Sequence, residues 1–304
     1  MAGEASTENL AFYALLRDGR WKWHQIRELI DRAGSPELAL REQLSAHLID
    51  DEYRQAVADA NAAIAEFRAV GIHTDTYFSD GYPEQLRTVH DYPPVVYWRG
   101  HQEEADLRSV AIVGSRDPSE GATRFAMELA HLLGHQGIPV VSGLASGIDT
   151  VAMRSSLEVG NRTIGVIGTG LNHSYPKENT ALQETVASEH LLLSQFHPDA
   201  AASQKTFPMR NVVMSGFSSL TVIAEASEKS GTRIQARAAA RHGRPLIISR
   251  AVFIKTSWGR DLVNHGLDVA VVSDAAEALD AVQRIHDRRN ARTANWASGT
   301  LLAI

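Results

Sequence analysis

Seven short apolar runs recur along the second part of the chain, at 109–113, 138–142, 163–167, 191–194, 219–223, 245–248 and 269–272. Runs such as VAIVG, TIGVIG and LTVIA are nearly continuous in apolar residues instead of alternating, which predicts strands buried on both faces. Between them, apolar residues at helical spacing predict helices at 119–136, 146–159, 177–188, 208–216, 231–242 and 257–265. Strand and helix in regular alternation imply an α/β protein, with a mostly parallel sheet covered by flanking helices. A further helical stretch, AAEALDAVQRIHDRRN, follows the last strand and leads into a loose end; its RIHDRRN portion reads as a solvated face.

The first 70 residues have a different period. Leu15, Ile26, Leu29 and Ile30 repeat at helical spacing, Gly34 with Ser35-Pro36 stops and restarts the pattern, and Gly71 closes it. This predicts a small helical domain over 1–70, in which Trp21 and Trp23 are packing residues. Residues 71–108 are rich in aromatics, Gly and Pro, and Pro83, Pro93 and Pro94 exclude a continuous helix. They read as an ordered linker packed on the core that contributes a strand at 95–97. The sheet domain then occupies 109–275, with a C-terminal helix and tail over 276–304.

Composition adds a few limits. The 304 residues suffice for a full core and a second small domain. Absence of cysteine excludes disulfides and thiolate chemistry and fits a reducing compartment. No signal pattern opens the chain and no apolar run approaches membrane-spanning length, so the expected location is cytoplasmic. Net charge is −6, which gives no global support to nucleic-acid binding. Residues 1–70 hold 8 Lys/Arg against 12 Asp/Glu, so the remainder carries only −2 and can still gather a local basic groove.

The candidate chemistry sits in the turns after two consecutive strands, GSRDPSEG and SGLASGID. Such turns offer backbone N–H groups and helix N-termini along one sheet edge, a surface suited to phosphate. Gly114, Gly143 and Gly147 let backbone approach a ligand, and Arg116 adds a guanidinium fork. Either turn alone could equally be structural. Asp149 reads as an internal cap and Glu225 as a partner of a loop. The dinucleotide fingerprint and the Gly-Lys-Ser/Thr of a P-loop are absent. His173, His190 and His197 lack a metal-ligand spacing, so neither metal nor cofactor is expected, and no catalytic residue is assigned.

Taken together, AIVGSRDPSEG, VVSGLASGIDTVA, TIGVIGTGLNHSYPKEN, FPMRN, IAEASEKSGT and the GR of HGRPLII, preceded by DGYPEQLRTVHDYPPVVYWRG, resemble the DprA/Smf family of DNA-processing proteins. The resemblance covers about residues 72–272. It implies an extended Rossmann-like sheet, no catalysis, binding and protection of single-stranded DNA, loading of the RecA recombinase onto it, and a homodimer. Carried over by motif, the DNA- or phosphate-facing residues are Gly114, Ser115 and Arg116; Ser142, Gly143 and Gly147; Gly168, Gly170 and Asn179; and Phe207, Arg210 and Asn211. Lys177 and Lys205 lie near those loops and extend the patch. The chain departs from the pattern at Ser146 and Val212, where Arg is usual, at Met153, where His is usual, at Gln195, and at Arg250-Ala251; Arg154 and Arg250 could restore charge. The chain also leaves little room for a winged helix after the sheet. The alternative is a nucleotide-binding sensor built on the same sheet.

Overall fold

A computed structural model describes residues 6–44, 49–265 and 267–297. Helices α1 (Thr7–Asp18), α2 (Trp23–Ala33), α3 (Pro36–Glu42) and α4 (Ile49–Ala69) come first. Their ends follow local chemistry. The Ser6 and Ser35 hydroxyls accept the N–H groups of Asn9 and Leu38 at 3.3 and 3.2 Å, and Pro36 opens α3. Next come β1 (His73–Thr76), α5 (Glu84–Arg87) and β2 (Val95–Gly100). The alternating part follows as β3 (Val110–Val113), α6 (Glu120–His135), β4 (Val140–Ser142), α7 (Ile148–Glu158), β5 (Thr163–Val166), α8 (Thr180–Glu189) and β6 (Leu191–Ser194). It ends with α9 (Thr206–Phe217), β7 (Leu220–Ile223), α10 (Thr232–Arg241), β8 (Leu246–Ser249), α11 (Arg250–Lys255), α12 (Ser257–Asn264), β9 (Val269–Val272) and α13 (Ala275–Ala297).

The nine strands form one sheet in the order β1-β2-β6-β5-β4-β3-β7-β8-β9. Strands β3 to β9 pair in parallel, and β2 and β1 add antiparallel at one edge. The chain starts the parallel part at β3, builds outward to β6, then returns to place β7 on the other side of β3. The order therefore reverses between β3 and β7, the place where open α/β sheets hold ligands beyond the carboxyl ends of their strands.

Strand β3 divides its side chains between two cores. Val110 and Ile112 pack with Leu129 and Leu133 of α6 and with Val282 and Ile285 of α13. Ala111 and Val113 face the other way, against Val213, Met214 and Phe217 of α9 and Ala236 of α10. A third core joins Phe12, Leu15, Ile26 and Ile64 to Tyr97, Met153, Val186 and Leu192, so the N-terminal helices rest on β2, α7 and α8. Trp23 packs edge-on against Phe12 and Tyr92, each at 5.6 Å between ring centres, as a packing residue should.

The structure departs from the sequence expectations at three places. Strand β1 was not expected; its HTDT sequence carries no apolar run, and it forms because β2 offers it an open edge. Helix α11 was also missed, a six-residue turn capped by the Ser249 hydroxyl on Val252 N–H at 3.3 Å. The RIHDRRN stretch is not uniformly solvated: Ile285 and His286 are buried against the sheet. The end expected to be loose after Asn290 stays helical to Ala297, and the remainder lies outside the described residues. Among the described residues, no helix is long and apolar enough to cross a membrane.

Candidate nucleic-acid interface

The β3 turn holds its own shape. The Ser115 hydroxyl donates to Asp117 O at 2.8 Å and accepts Asp117 N–H at 3.1 Å. Ser119 then caps α6, and its N–H and hydroxyl both donate to the Glu225 carboxylate, at 2.9 and 2.8 Å. Glu225, at the end of β7, thus spans the reversal point and braces a helix N-terminus, where a negative charge is favoured. That matches its expected role as a loop partner. Arg116 projects from this turn with an exposed side chain.

The β4 turn is tighter. Ser115 O accepts Ile148 N–H at 3.1 Å, tying the two turns together. Gly147 at φ 78° and ψ −128° makes the bend into α7. Its missing side chain is what permits the contact, since a Cβ there would meet Ser115 O and lie 2.7 Å from the Arg116 carbonyl carbon.

Helix α9 supplies the third wall. Phe207, Arg210 and Asn211 stand at i, i+3 and i+4, so one face of one turn presents all three. Arg210 is almost fully buried. Its Nη1 donates to Gly143 O and, at 2.9 Å, to Val166 O, while Nε donates to Asn211 Oδ1 at 2.9 Å. The guanidinium lies directly beneath Gly143, where a Cβ would come 2.6 Å from Nη2.

Asp149 completes the inner layer. Its carboxylate accepts Gly143 N–H at 3.1 Å and Ala145 N–H at 3.4 Å, so it caps its own turn, as expected. Burial pushes the Asp149 carboxyl up from its ordinary range, opposed by the Arg210 charge and these N–H groups. Burial likewise pulls Arg210 down, opposed by Asp149 and reinforced by the like charge of Arg116. The second turn therefore does not present the free amides expected of it, because its own acid already occupies them.

Above this layer opens a cavity of about 650 Å³ at the carboxyl ends of the strands. Gly114, Ser115, Arg116, Phe207, Arg210 and Asn211 all line it. The Arg116 guanidinium lies 5.6 Å from the Phe207 ring centre, and the Tyr175 ring, 47% exposed, lies 5.2 Å from it. A cation and two accessible rings thus stand side by side. Gly143 and Gly168 border a smaller adjoining cleft with Arg116, Ser146 and Tyr175, and the Phe207 ring covers the place of a Gly168 Cβ at 2.8 Å.

Other expected residues serve the fold instead. Ser142 is buried, donating to Ile112 O at 2.7 Å. Gly170 faces the carbonyls of His197 and Pro198, and its N–H donates to Ala200 O at 2.8 Å. Buried Asn179 donates to Leu144 O at 2.9 Å and Thr150 Oγ1 at 2.7 Å, holding the β5 loop to the β4 turn. Gly147 shapes the site without lining either cleft. Lys177 and Lys205 are exposed outside both clefts. Arg154 and Arg250 do not line them either, and Met153 belongs to the core. The opposite wall, with Ser227, Ser230 and Gln235, was missed. Its only sequence signal is the SEKSGT loop after β7.

The family model described as DNA recombination-mediator protein A matches residues 73–286. The DNA processing protein DprA of Bacillus subtilis is 35% identical over 205 residues, 67% of this chain and 69% of the relative. Protein Smf of Synechocystis is 38% identical over 194 residues, 62% of this chain and 49% of the relative. The X-ray structure of DprA from Streptococcus pneumoniae superposes with a TM-score of 0.71 at 25% identity, covering 91% of this chain and 98% of that one. DprA from Helicobacter pylori, whose structure is described in terms of its single-stranded DNA binding mode, superposes with a TM-score of 0.60 at 25% identity, covering 69% and 96%. The match across the sheet, its loops and its lead-in segment establishes that the chain belongs to the DprA/Smf family of DNA recombination-mediator proteins.

Proposed function

We propose that this chain acts in DNA processing by binding single-stranded DNA across the cavity at the carboxyl edge of its sheet. It shields the strand there and, as a homodimer, passes it to a RecA-type recombinase. The observation that carries the reading is the grouping of Arg116, Phe207 and Tyr175 at one mouth. Single strands are held by cations on the backbone and by bases stacked on aromatic rings, and this grouping supplies both. Family membership supports the recombination role, and the single-strand binding described for the H. pylori relative supports the ligand. Among the described residues, the only carboxylate lining the cavity, Asp149, is committed to two backbone N–H groups, which favours binding over acid–base catalysis. For the dimer, β9 ends the sheet with Val271 exposed, and Ile254 on α11 is exposed as well.

The test is an oligonucleotide titration over a range of salt. Wild type should bind oligo-dT with little sequence preference and a steep salt dependence. Arg116→Ala should weaken binding about tenfold at low salt, the loss of one charge-assisted contact. It should also lower the log–log salt slope by about 0.7, the share of one single-strand phosphate. An unchanged slope in that variant would remove Arg116 from the contact. Tight binding of mononucleotides with no affinity for oligo-dT would replace the DNA reading with a nucleotide-sensing one.

A further inference from the structure

On the α9–α10 side of the sheet, away from the strand-end cavity, three metal-ligand side chains converge. His90 and Asp91 lie between α5 and β2, and His242 caps the end of α10. We propose that His90, Asp91 and His242 bind one divalent transition ion of the Zn²⁺ class, which pins the lead-in segment to α10.

The donor atoms of all three lie within 4.8 Å of one another. His242 Nε2 is 2.6 Å from Asp91 Oδ1, and His90 Nε2 is 3.6 Å from Asp91 Oδ2. Zinc bonds of about 2.0–2.1 Å in a tetrahedron need donors about 3.3 Å apart, and each histidine already stands within about 1 Å of that spacing from an Asp91 oxygen. Adjustment falls to the exposed side: the His242 side chain is fully buried, whereas that of His90, edge-on to the His242 ring at 5.7 Å between centres, is 62% exposed.

The surroundings fit a ligand set. Ser215 Oγ, on α9, lies 3.0 Å from His242 Nδ1. When Nε2 carries the proton toward Asp91, the hydroxyl donates to Nδ1. When Nε2 coordinates a metal, the proton sits on Nδ1 and the hydroxyl accepts it, with no net proton lost from a neutral ring. Metal-bound histidines ordinarily have such an outer partner. Arg241, whose Nη2 lies 3.9 Å from Asp91 Oδ2, pairs with the carboxylate, and at 56% exposure it can turn to solvent. Two imidazoles and one carboxylate favour zinc and its neighbours over Mg²⁺ or Ca²⁺, which prefer all-oxygen sites. Sequence spacing could not reveal this set, because 151 residues separate His242 from Asp91.

Chelator-treated, untagged protein titrated with Co²⁺ gives the test, with Zn²⁺ as competitor. Wild type should bind one Co²⁺ per chain with visible d–d absorption that Zn²⁺ abolishes, and Zn²⁺ should raise its melting temperature. His90→Ala, an exposed substitution that leaves the core intact, should weaken Co²⁺ binding at least tenfold and lose the Zn²⁺-induced melting shift. Substitution of the exposed His135, at the end of α6 on the other face of the sheet, by Ala should change neither. Absence of the absorption band in wild type, or equal Co²⁺ affinity in His90→Ala, would overturn the site.

Discussion

Arg210→Ala is expected to destabilise the protein by about 3–5 kcal/mol, the range for removing one member of a buried charged set. The carbonyls of Gly143 and Val166 and the Asn211 side chain lose their shared donor. Asp149, buried beneath the same turn, loses the positive charge that holds its carboxylate down. An exposed arginine would cost a few tenths of a kcal/mol, so the magnitude distinguishes a structural guanidinium from a surface one. Urea unfolding measures it. The double variant Arg210→Met with Asp149→Leu should cost less than the sum of the two single changes, because the second removes the charge stranded by the first. A cost below 1 kcal/mol for Arg210→Ala would mean that the guanidinium is not anchored between the strand ends.

Gly147→Ala is expected to damage stability and binding together. Its φ of 78° with ψ of −128° is a conformation that L side chains rarely adopt, and the added methyl would press on Ser115 O and the Arg116 backbone. Strain and collision together should cost about 2–4 kcal/mol. The β3 turn must move to make room, carrying Arg116 away from Phe207, so oligo-dT affinity should fall in the folded variant as well. Gly137→Ala is the comparison. That glycine has φ 61° but nothing within 4 Å of the added carbon, so only backbone strain is incurred, about 1 kcal/mol, with DNA binding unchanged. Equal costs at the two positions would show that the turn-to-turn contact does not hold Arg116.

The contrast between these positions indicates what a sequence can convey. Strands buried on both faces declare themselves, as VAIVG and TIGVIG do, and the parallel sheet follows from them. Strand β1 could not be read because HTDT is polar and depends on pairing with β2 across an intervening bend. The turns around Gly114 and Gly147 were legible as close approaches of backbone. What the approaching group would be was not. At Gly143 it is the protein's own Arg210, and at Gly170 it is the His197–Pro198 backbone. Asp149 could be recognised as a cap, but not that its capping would consume the amides expected to face a ligand. The wall containing Ser227 and Ser230 comes into place only when β7 pairs with β3, a long-range event with no local signature.

In the proposed complex a single strand lies across the mouth formed by Arg116, Tyr175 and Phe207. Hydrogen exchange of the full chain with and without saturating oligo-dT tests it most directly. Exchange should slow chiefly in residues 114–118, 143–148 and 204–212, an effect lost in Arg116→Ala at oligonucleotide concentrations that still protect wild type. Firm binding accompanied by protection elsewhere, with these three segments unchanged, would contradict it.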